Sequence, residues 1–502
     1  MQNNLKFGFV SGLPANELER LGKLTEVYNY HLDKNALKNR YYEGRIPLSE
    51  VNLGLALPKG MRGLEIDCAW GAKTVDVLAA RSMFDGFVGV NGTDPEELGR
   101  IMSGNRFVAE YKKAVRDELK YGCTFATLAR DPQHGCKIRF HSPETAAALW
   151  NGEQGRVDCG MAIVDTVPDE SQSGVWIPAV VNYHTERAIY VLKRVAGDRW
   201  MATAHPHKMG RPLMEAFVWD ATSRKPFGRS RLKSPIRRLI QSYVRTIANA
   251  AIGLEFATSP QKYLLGVTED QYEEITSDKF KQYVGSIIAG TVNPETNEKP
   301  TFGQLQQGTI SPHVEMMRLL ATQFSAATGL SVTDTGIVND ANPTSSDAIL
   351  AQSQTLVAMA EELNAGNGHA LRNVALMALA IANNVKMEEL TEEQTGIVAH
   401  FKNPAMPSVA VTADAAVKIA ASRQSFAQTD VYLEMIGFDQ ADIRRIKAQE
   451  SRNRGLSFLN ELIETPETVP TDEETGNGGS EEGSAAGTQR QATGAAGAGE
   501  TA

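Results

Sequence analysis

Cysteine is scarce in this sequence, with four in 502 residues. They are Cys68, Cys123, Cys136 and Cys159. No two of them form a C-x-x-C pair, so the sequence predicts neither a disulfide framework nor a zinc knuckle. His134 and His141 lie near Cys123 and Cys136, but their spacing matches no zinc motif. We therefore interpret these side chains as ordinary ones and expect no metal site.

Long apolar runs are also missing. The longest run in the helical half is VALMALAIA at 374–382, far shorter than the roughly 20 residues of a membrane-spanning helix. The N-terminal stretch MQNNLKFGFVSGLPANELERL has no apolar core of the kind that follows the basic start of a signal peptide. The sequence therefore predicts a soluble cytoplasmic protein with no membrane partner.

Catalytic signatures are absent as well. The sequence contains no G-x-x-x-x-G-K-[ST] phosphate loop, no G-x-G-x-x-G, no H-E-x-x-H and no G-x-S-x-G. Ser230 and Lys233 fit S-x-x-K, a pattern that is common by chance when its partner motifs are absent. We interpret His205 and His207 as part of an exposed turn. We expect a protein that is not an enzyme and binds no cofactor.

Negative charge is concentrated at one end of the chain. The net charge is −9, and the tail from Ile463 carries eight acidic residues against Arg490, a net of −7. The first 462 residues therefore carry only −2. A nearly neutral body argues against a broad basic face that grips nucleic acid.

The residue pattern changes along the chain. Residues 1–130 are predicted to be mostly helical. Amphipathic helix candidates lie near 16–38, 69–83 and 94–120. From Cys136 to about Trp219 the sequence has short runs of Val, Ile, Tyr and Thr, and 175–194 predicts a hairpin with its turn at His184–Arg187. We predict an α+β fold that is mostly helical.

A long basic helix is predicted to begin at Ser234, with Pro235 at its first helical position. Apolar residues from Ile236 to Leu254 recur at helical spacing. No acidic residue occurs between Ala221 and Leu254. Eight basic residues do: Arg224, Lys225, Arg229, Arg231, Lys233, Arg237, Arg238 and Arg245. Two interpretations stay open, a solvated helix face and a basic collar that meets phosphates or an acidic neighbour.

A polar loop separates two further predicted helices. The first begins at Ser311 and ends at Gly329, and the second begins near Ser345 and Ser346, breaks at GNG (366–368) and resumes. Between them TGLSVTDTGIVNDANPTSSDAI (328–349) has the composition of a loop. After these helices we predict a helical unit at 386–462, preceded by a connecting strand near VAHF, and a disordered tail.

Several motifs together resemble the portal proteins of tailed bacteriophages, of the SPP1 type. They are YYEG (41–44), the W-x-x-x-x-V-D-x-L-A-x-R run from Trp70 to Arg81 followed by DGF, KSPIRRLI (233–240), TGLSVTDTG (328–336), NPTSSDAILAQ (342–352) and TADAAVKIAAS (412–422). Each motif alone is weak, but their order and spacing from about 20 to 462 are specific in combination.

The resemblance implies a set of regions and partners. It implies an α+β wing at 1–230, a stem helix at 231–257, a small α/β clip at 258–310 and a second stem helix at 311–329. It then implies a tunnel loop at 330–344 and a long wing helix with its successor at 345–385. A helical crown at 386–462 and a disordered acidic tail at 463–502 follow. It also implies a ring, typically of twelve copies, at one capsid vertex of the virion, assembled in the host cytoplasm. Double-stranded DNA passes through the ring, without sequence specificity, during packaging and ejection. Further implied partners are the terminase large subunit, the major capsid and scaffold proteins, and a head-completion adaptor.

Three sets of candidate residues follow from these regions. The tunnel-loop set is Ser331, Val332, Thr333, Asp334, Thr335, Asn339, Asp340 and Asn342; the basic stem set is Arg237, Arg238 and Arg245; the clip set is Glu269, Glu273, Glu274 and Asp278. A loop in the bore must let DNA slide, and 330–344 suits this because it contains acidic residues but no Lys or Arg. An ordinary surface loop is the alternative interpretation.

Two other functions compete with the portal. One is a different oligomeric virion component, such as a connector or adaptor, although these are usually much shorter. The other is a nucleic-acid-processing enzyme, which the missing catalytic motifs disfavour.

Overall fold

A computed structural model of the protein describes residues 4–46, 66–89, 96–169, 173–258, 262–266, 301–304, 309–336, 346–405, 409–438 and 440–464, and the single positions 270, 292, 297 and 299. The chain divides into two compact units, Met1–Pro407 and Ser408–Ala502. The predicted crown, 386–462, is therefore divided by this boundary. Its first part belongs to the first unit because the strand near VAHF pairs there.

Helices occur in both units. In the first unit they are α1 (Ala15–Glu43), α2 (Trp70–Ala79), α3 (Glu96–Gly104), α4 (Phe107–Tyr121), α5 (Ser234–Thr258), α6 (Ser311–Thr328), α7 (Ser346–Asn383) and the short α8 (Glu392–Thr395). In the second unit they are α9 (Val409–Ser422), α10 (Asp430–Ile436) and α11 (Gln440–Glu464). The stretch predicted as one helix at 94–120 is two helices, because Arg106 adopts a left-handed conformation between them.

The strands lie in the first unit. They are β1 (Phe9–Ser11), β2 (Arg45–Ile46), β3 (Ile66–Asp67), β4 (Phe84–Val88), β5 (Cys123–Asp131), β6 (Gly135–His141), β7 (Ala146–Asn151), β8 (Arg156–Pro168), β9 (Trp176–His184), β10 (Ala188–Ala196), β11 (Arg199–Pro206), β12 (Met214–Val218), β13 (Lys262–Leu265), β14 (Thr301–Gln304) and β15 (Val398–Phe401). The mixed α+β class is confirmed, and so is the hairpin with its turn after His184.

Two sheets form the β part of the unit. The six-stranded sheet has the order β1-β11-β10-β9-β8-β7, and the three-stranded sheet has the order β12-β5-β6. Pairing is antiparallel throughout except between β1 and β11. One face of the larger sheet packs on α1, and Leu24, Val181 and Trp200 belong to one buried cluster there. The remaining pairs are β13 with β14, β15 with β4, and β2 with β3.

Helix α7 is continuous, so the predicted break at 366–368 is wrong. Asn367 is buried, and its side-chain amide donates to the Tyr111 hydroxyl (3.1 Å) and to a Glu118 oxygen (2.8 Å). A Cβ on Gly366 would meet no atom within 4 Å. Neither glycine of the GNG stretch terminates the helix, because packing outweighs the roughly 1 kcal/mol helix penalty of each.

Candidate functional site: two long helices and the polar loop after the second

Trp70 joins the two predicted stem helices. Its indole stacks on Tyr243 of α5 with ring centroids 4.0 Å apart and on Phe324 of α6 at 4.5 Å. The indole Nε1 donates to the carbonyl oxygen of Thr335, 3.2 Å away. Trp70 can occupy this place because Gly71 lets α2 approach α1; a Cβ there would lie 1.9 Å from the Tyr41 carbonyl oxygen. One side chain therefore contacts both helices and the start of the polar loop.

A buried cation lies next to this junction. Arg231 donates to the carbonyl oxygens of Thr74 (2.8 Å) and Thr328 (2.7 Å) and to the sulfur of Met359 (3.3 Å). Thr328 ends α6, and the C-terminal end of a helix favours positive charge. Burial lowers the pKa of Arg231 to about 10, so the guanidinium is still charged at neutral pH. Nothing in the sequence separates this arginine from the seven other basic residues around it.

The polar loop begins as an ordered turn. Gly329 ends α6 in a left-handed conformation (φ 73°), and Leu330 after it is buried. Thr333–Thr335 form a 3-10 turn. The carboxylate of Asp334 accepts hydrogen bonds from the backbone N–H (3.0 Å) and the hydroxyl (2.7 Å) of Ser331. The first part of the loop is therefore held against the body of the unit.

This geometry changes the expectation for two of the predicted tunnel-loop residues. Thr335 is buried, and its hydroxyl donates to the carbonyl oxygen of Val332 at 2.5 Å. Asp334 closes the turn instead of presenting a free carboxylate. Thr333 is exposed, while Ser331 and Val332 are half-buried. Asn339, Asp340 and Asn342 lie outside the described residues.

The three basic stem residues have different surroundings. Arg237 is half-buried; its guanidinium donates to the carbonyl oxygen of Leu232 (2.8 Å) and lies over the ring of Tyr41 at 5.8 Å. Arg238 and Arg245 are exposed on α5. Arg237 therefore has partners within its own chain, whereas the other two point outward. The clip residues Glu269, Glu273, Glu274 and Asp278 lie outside the described residues.

A buried carboxyl group was not predicted from the sequence. Glu118 of α4 is fully buried, one of its oxygens accepts from Asn367, and the other has no hydrogen-bond partner in the structure. Burial raises the pKa of Glu118 to about 8, so the group is largely protonated near neutral pH. The helical spacing of Tyr111, Val115 and Glu118 on the buried face of α4 is the signal that could have revealed it.

Metal-binding clusters and membrane-spanning helices are absent from the part of the chain that the structure describes. No group of three or more His, Cys, Asp or Glu side chains there has the geometry of a metal site. No helix among the same residues has the length and apolar character needed to cross a membrane.

The fold and this junction define a class: a mixed α+β subunit in which two long helices pack side by side and a polar loop follows the second. The family described as "Phage portal protein, SPP1 Gp6-like" matches residues 12–455. The chain belongs to this family of phage portal proteins, whose members are structural virion components.

Similarity to solved structures is weaker. A chain from the "Virion of native gene transfer agent (GTA) particle" is 13% identical, with a TM-score of 0.42 and coverage of 74% of this chain and 89% of that one. A chain from the "Neck of native GTA particle computed with C12 symmetry" is 14% identical, with a TM-score of 0.40 and coverage of 79% and 98%. No curated protein sequence matches this chain.

Proposed function

We propose that this portal-family chain forms a closed ring of about twelve copies at one capsid vertex. Double-stranded DNA would pass through its axis during packaging and ejection. The observation that carries the proposal is the junction at Trp70, which places the start of the polar segment 330–344 directly beside both stem helices. In a ring of such subunits, each copy would contribute one such loop to the central channel.

Exposed apolar side chains on the stem support self-association. On α5, Leu254 is 47% exposed. On α6, Val314 is 38% exposed, Met316 42% and Leu319 52%, although the two helices are paired at the other end. Met316 and Leu319 are three residues apart and share one side of α6, and an exposed apolar pair of this kind can form part of a contact surface. A second copy of the chain is the occupant that fits, because a ring contact joins two different faces of identical subunits.

The exposed basic residues of the stem have two proposed roles. Arg238 and Arg245 would either pair with acidic residues of the neighbouring copy or face the channel. Arg237 is not needed for either role, because its hydrogen bond to Leu232 is made within the chain.

Further partners follow from family membership. The clip segment 258–310 carries a net charge of −3 and is the proposed docking surface for the terminase large subunit. The major capsid and scaffold proteins and a head-completion adaptor would contact other surfaces. The residues proposed to line the channel are Ser331, Val332, Thr333, Asn339, Asp340 and Asn342, and Asp334 and Thr335 are proposed to support them.

Electron microscopy and native mass spectrometry of the purified full chain test the ring directly. We expect ring particles with an axial hole and a mass close to twelve subunits, about 655 kDa from the 54.6 kDa chain. Only monomers across concentrations and salt conditions would contradict the proposal.

The stem contact has its own test. Leu319→Glu should shift the chain from rings toward monomers, because losing one buried leucine costs about 1.5–3 kcal/mol per contact. Gln323→Glu is the matched control, since it adds the same charge at an exposed position one turn further along α6. Equal ring yield for both variants would show that the apolar stem surface lies outside the contact.

A further inference from the structure

A cavity of 610 Å³ lies at the start of α5, away from the Trp70 junction. Its walls come from α1, from β5 and β7, and from the segment 225–237. The segment can fold closely over the cavity because Gly228 has a left-handed conformation (φ 66°); a Cβ there would lie 2.1 Å from the Trp219 carbonyl oxygen. This volume is typical of sites for small organic ligands.

Cations line this cavity, and among the described residues no Asp or Glu does. The six are Lys34 and Lys38 from α1, and Lys225, Arg229, Lys233 and Arg237 from the other wall. Only Lys233 has a carboxylate partner in the described structure, Asp220 at 2.7 Å. Ser234 begins α5 at the same wall, and the first turn of a helix adds backbone N–H groups and a positive dipole end.

Lys38 is half-buried, as Arg237 is, whereas the other four cations are exposed. Its ammonium donates to the carbonyl oxygen of Tyr121 (2.7 Å) and to the side-chain oxygen of Asn35 (3.4 Å). Desolvation, reinforced by the charges of Arg237 and Lys34, lowers the pKa of Lys38 to about 8. Desolvation and the charges of Lys34 and Lys38 also lower the pKa of His31. The cavity therefore holds positive charge that its own walls do not neutralise.

The rest of the wall is apolar and aromatic. Phe125 and Phe227 lie edge to face with centroids 5.9 Å apart, and three consecutive alanines from β7 complete that side. An inorganic ion alone would leave this surface uncovered. A ligand with an anionic group and a flat apolar part would contact both halves.

We propose that the cavity binds a phosphate ester of nucleotide size, with its phosphate toward Lys38 and Arg237 and its organic part against Phe125 and Phe227. Lysine ammonium and arginine guanidinium groups are the usual side-chain donors to phosphate oxygens. The phosphate ester is either a free nucleotide or part of a nucleic acid strand. The site does not depend on ring formation, so the binding proposal and the channel proposal can be contradicted independently of each other.

Calorimetric titration of the full chain in low-salt chloride buffer tests the site. The probes are AMP, adenosine, inorganic pyrophosphate and a short DNA duplex. We expect saturable binding of AMP with one site per subunit, clearly weaker binding of pyrophosphate, and no binding of adenosine. If AMP fails to bind, or adenosine binds as well as AMP does, the proposal is overturned. Displacement of AMP by the duplex identifies the strand as the source, and binding of AMP without displacement identifies a free nucleotide.

Two cavity variants and one control locate the binding. Lys38→Met and Arg237→Gln each remove one charge and keep a similar side-chain length, and each should weaken AMP binding at least about tenfold. Lys112→Met on the exposed face of α4 is the control and should leave it unchanged. If either cavity variant unfolds, Lys225→Met and Arg229→Gln at the exposed mouth replace it, with a smaller and salt-sensitive loss expected. Two outcomes would assign the cations another role. One is that all four variants still bind AMP. The other is that the natural chain does not bind AMP and Lys38→Met loses the ring.

Discussion

Trp70 shows how one side chain can hold several elements in place. A tryptophan buries a large apolar area, and offset aromatic pairs add about 0.5–1.5 kcal/mol beyond that burial. Trp70 makes two such pairs and one hydrogen bond, and the three partners come from α5, from α6 and from the loop after α6. The packing of α5 against α6 and the position of the turn at Thr335 therefore depend on the same residue.

Trp70→Phe should separate the two contributions. The phenyl ring keeps most of the stacking but leaves the Thr335 carbonyl oxygen without its donor, a loss of about 1 kcal/mol. Trp70→Ala should cost about 3–5 kcal/mol because it also leaves a cavity. Urea unfolding measures both. Trp176→Phe is the control, because Trp176 is 61% exposed and its replacement should have almost no effect.

Glu118 predicts a pH dependence of stability. Its pKa is about 8 in the folded chain, against an ordinary value of 4.5. Between these values the folded state keeps a proton that the unfolded state has lost, so the free energy of unfolding falls as pH rises through this range. Each pKa unit corresponds to about 1.4 kcal/mol, so the total effect is on the order of several kcal/mol.

Glu118→Gln should flatten this dependence. The amide is neutral at every pH and keeps an oxygen that can accept from Asn367. Denaturant unfolding at about pH 6 and about pH 9 should show a smaller difference for the variant than for the natural chain. Glu26→Gln, at an exposed position on α1, is the matched control. An unchanged difference in the Glu118 variant would mean that another group dominates the titration.

At the scale of an element, the polar segment after α6 combines a turn that the structure describes with later residues for which we propose a contact with DNA. The turn from Ser331 to Thr335 is held by the Asp334 carboxylate and by Trp70. The proposed sliding contact with DNA therefore falls mainly on the later part of 330–344. A charge change in the first part disturbs the fold, and one in the later part should disturb the channel.

Two substitutions distinguish these parts. Asp334→Ala should lower stability by about 1–2 kcal/mol, because two hydrogen bonds to a charged acceptor are lost. Asp340→Lys should leave thermal unfolding and ring formation unchanged but slow DNA packaging, because each copy then offers a new phosphate contact whose strength depends on salt. Asp340→Asn is the control with little expected effect. Loss of ring formation in Asp340→Lys would place the loop at a subunit contact.

For the whole molecule, the acidic tail is predicted to be dispensable for assembly. Its Glu, Ser, Gly, Thr and Ala residues offer too little apolar surface to offset the entropy of ordering a chain. A chain truncated after Glu464 should form rings with the same yield and the same number of subunits as the full chain, measured by native mass spectrometry. Monomers from the truncated chain would show that the tail takes part in the contact.

The sequence by itself determined the features that depend on local chemistry. Pro312 and Gly329 delimit α6 because proline suits a first helical turn and glycine tolerates the left-handed conformation after the last one. Alternating β-branched residues around a polar turn defined the hairpin of β9 and β10. The ordered series of motifs from YYEG to TADAAVKIAAS indicated the portal family, which the family match confirms.

Only the tertiary structure decided which of several similar residues are buried, make specific hydrogen bonds or line a cavity. The GNG stretch does not end α7, because Asn367 finds buried partners on α4 that no local rule reveals. Arg231 and Arg238 look alike in sequence, yet one is buried among carbonyl groups and the other is exposed. The cation-lined cavity joins α1 to a segment about 190 residues later, and only folding brings their charges together. Local propensity depends on neighbours along the chain, whereas burial, charge pairing and cavities depend on neighbours in space.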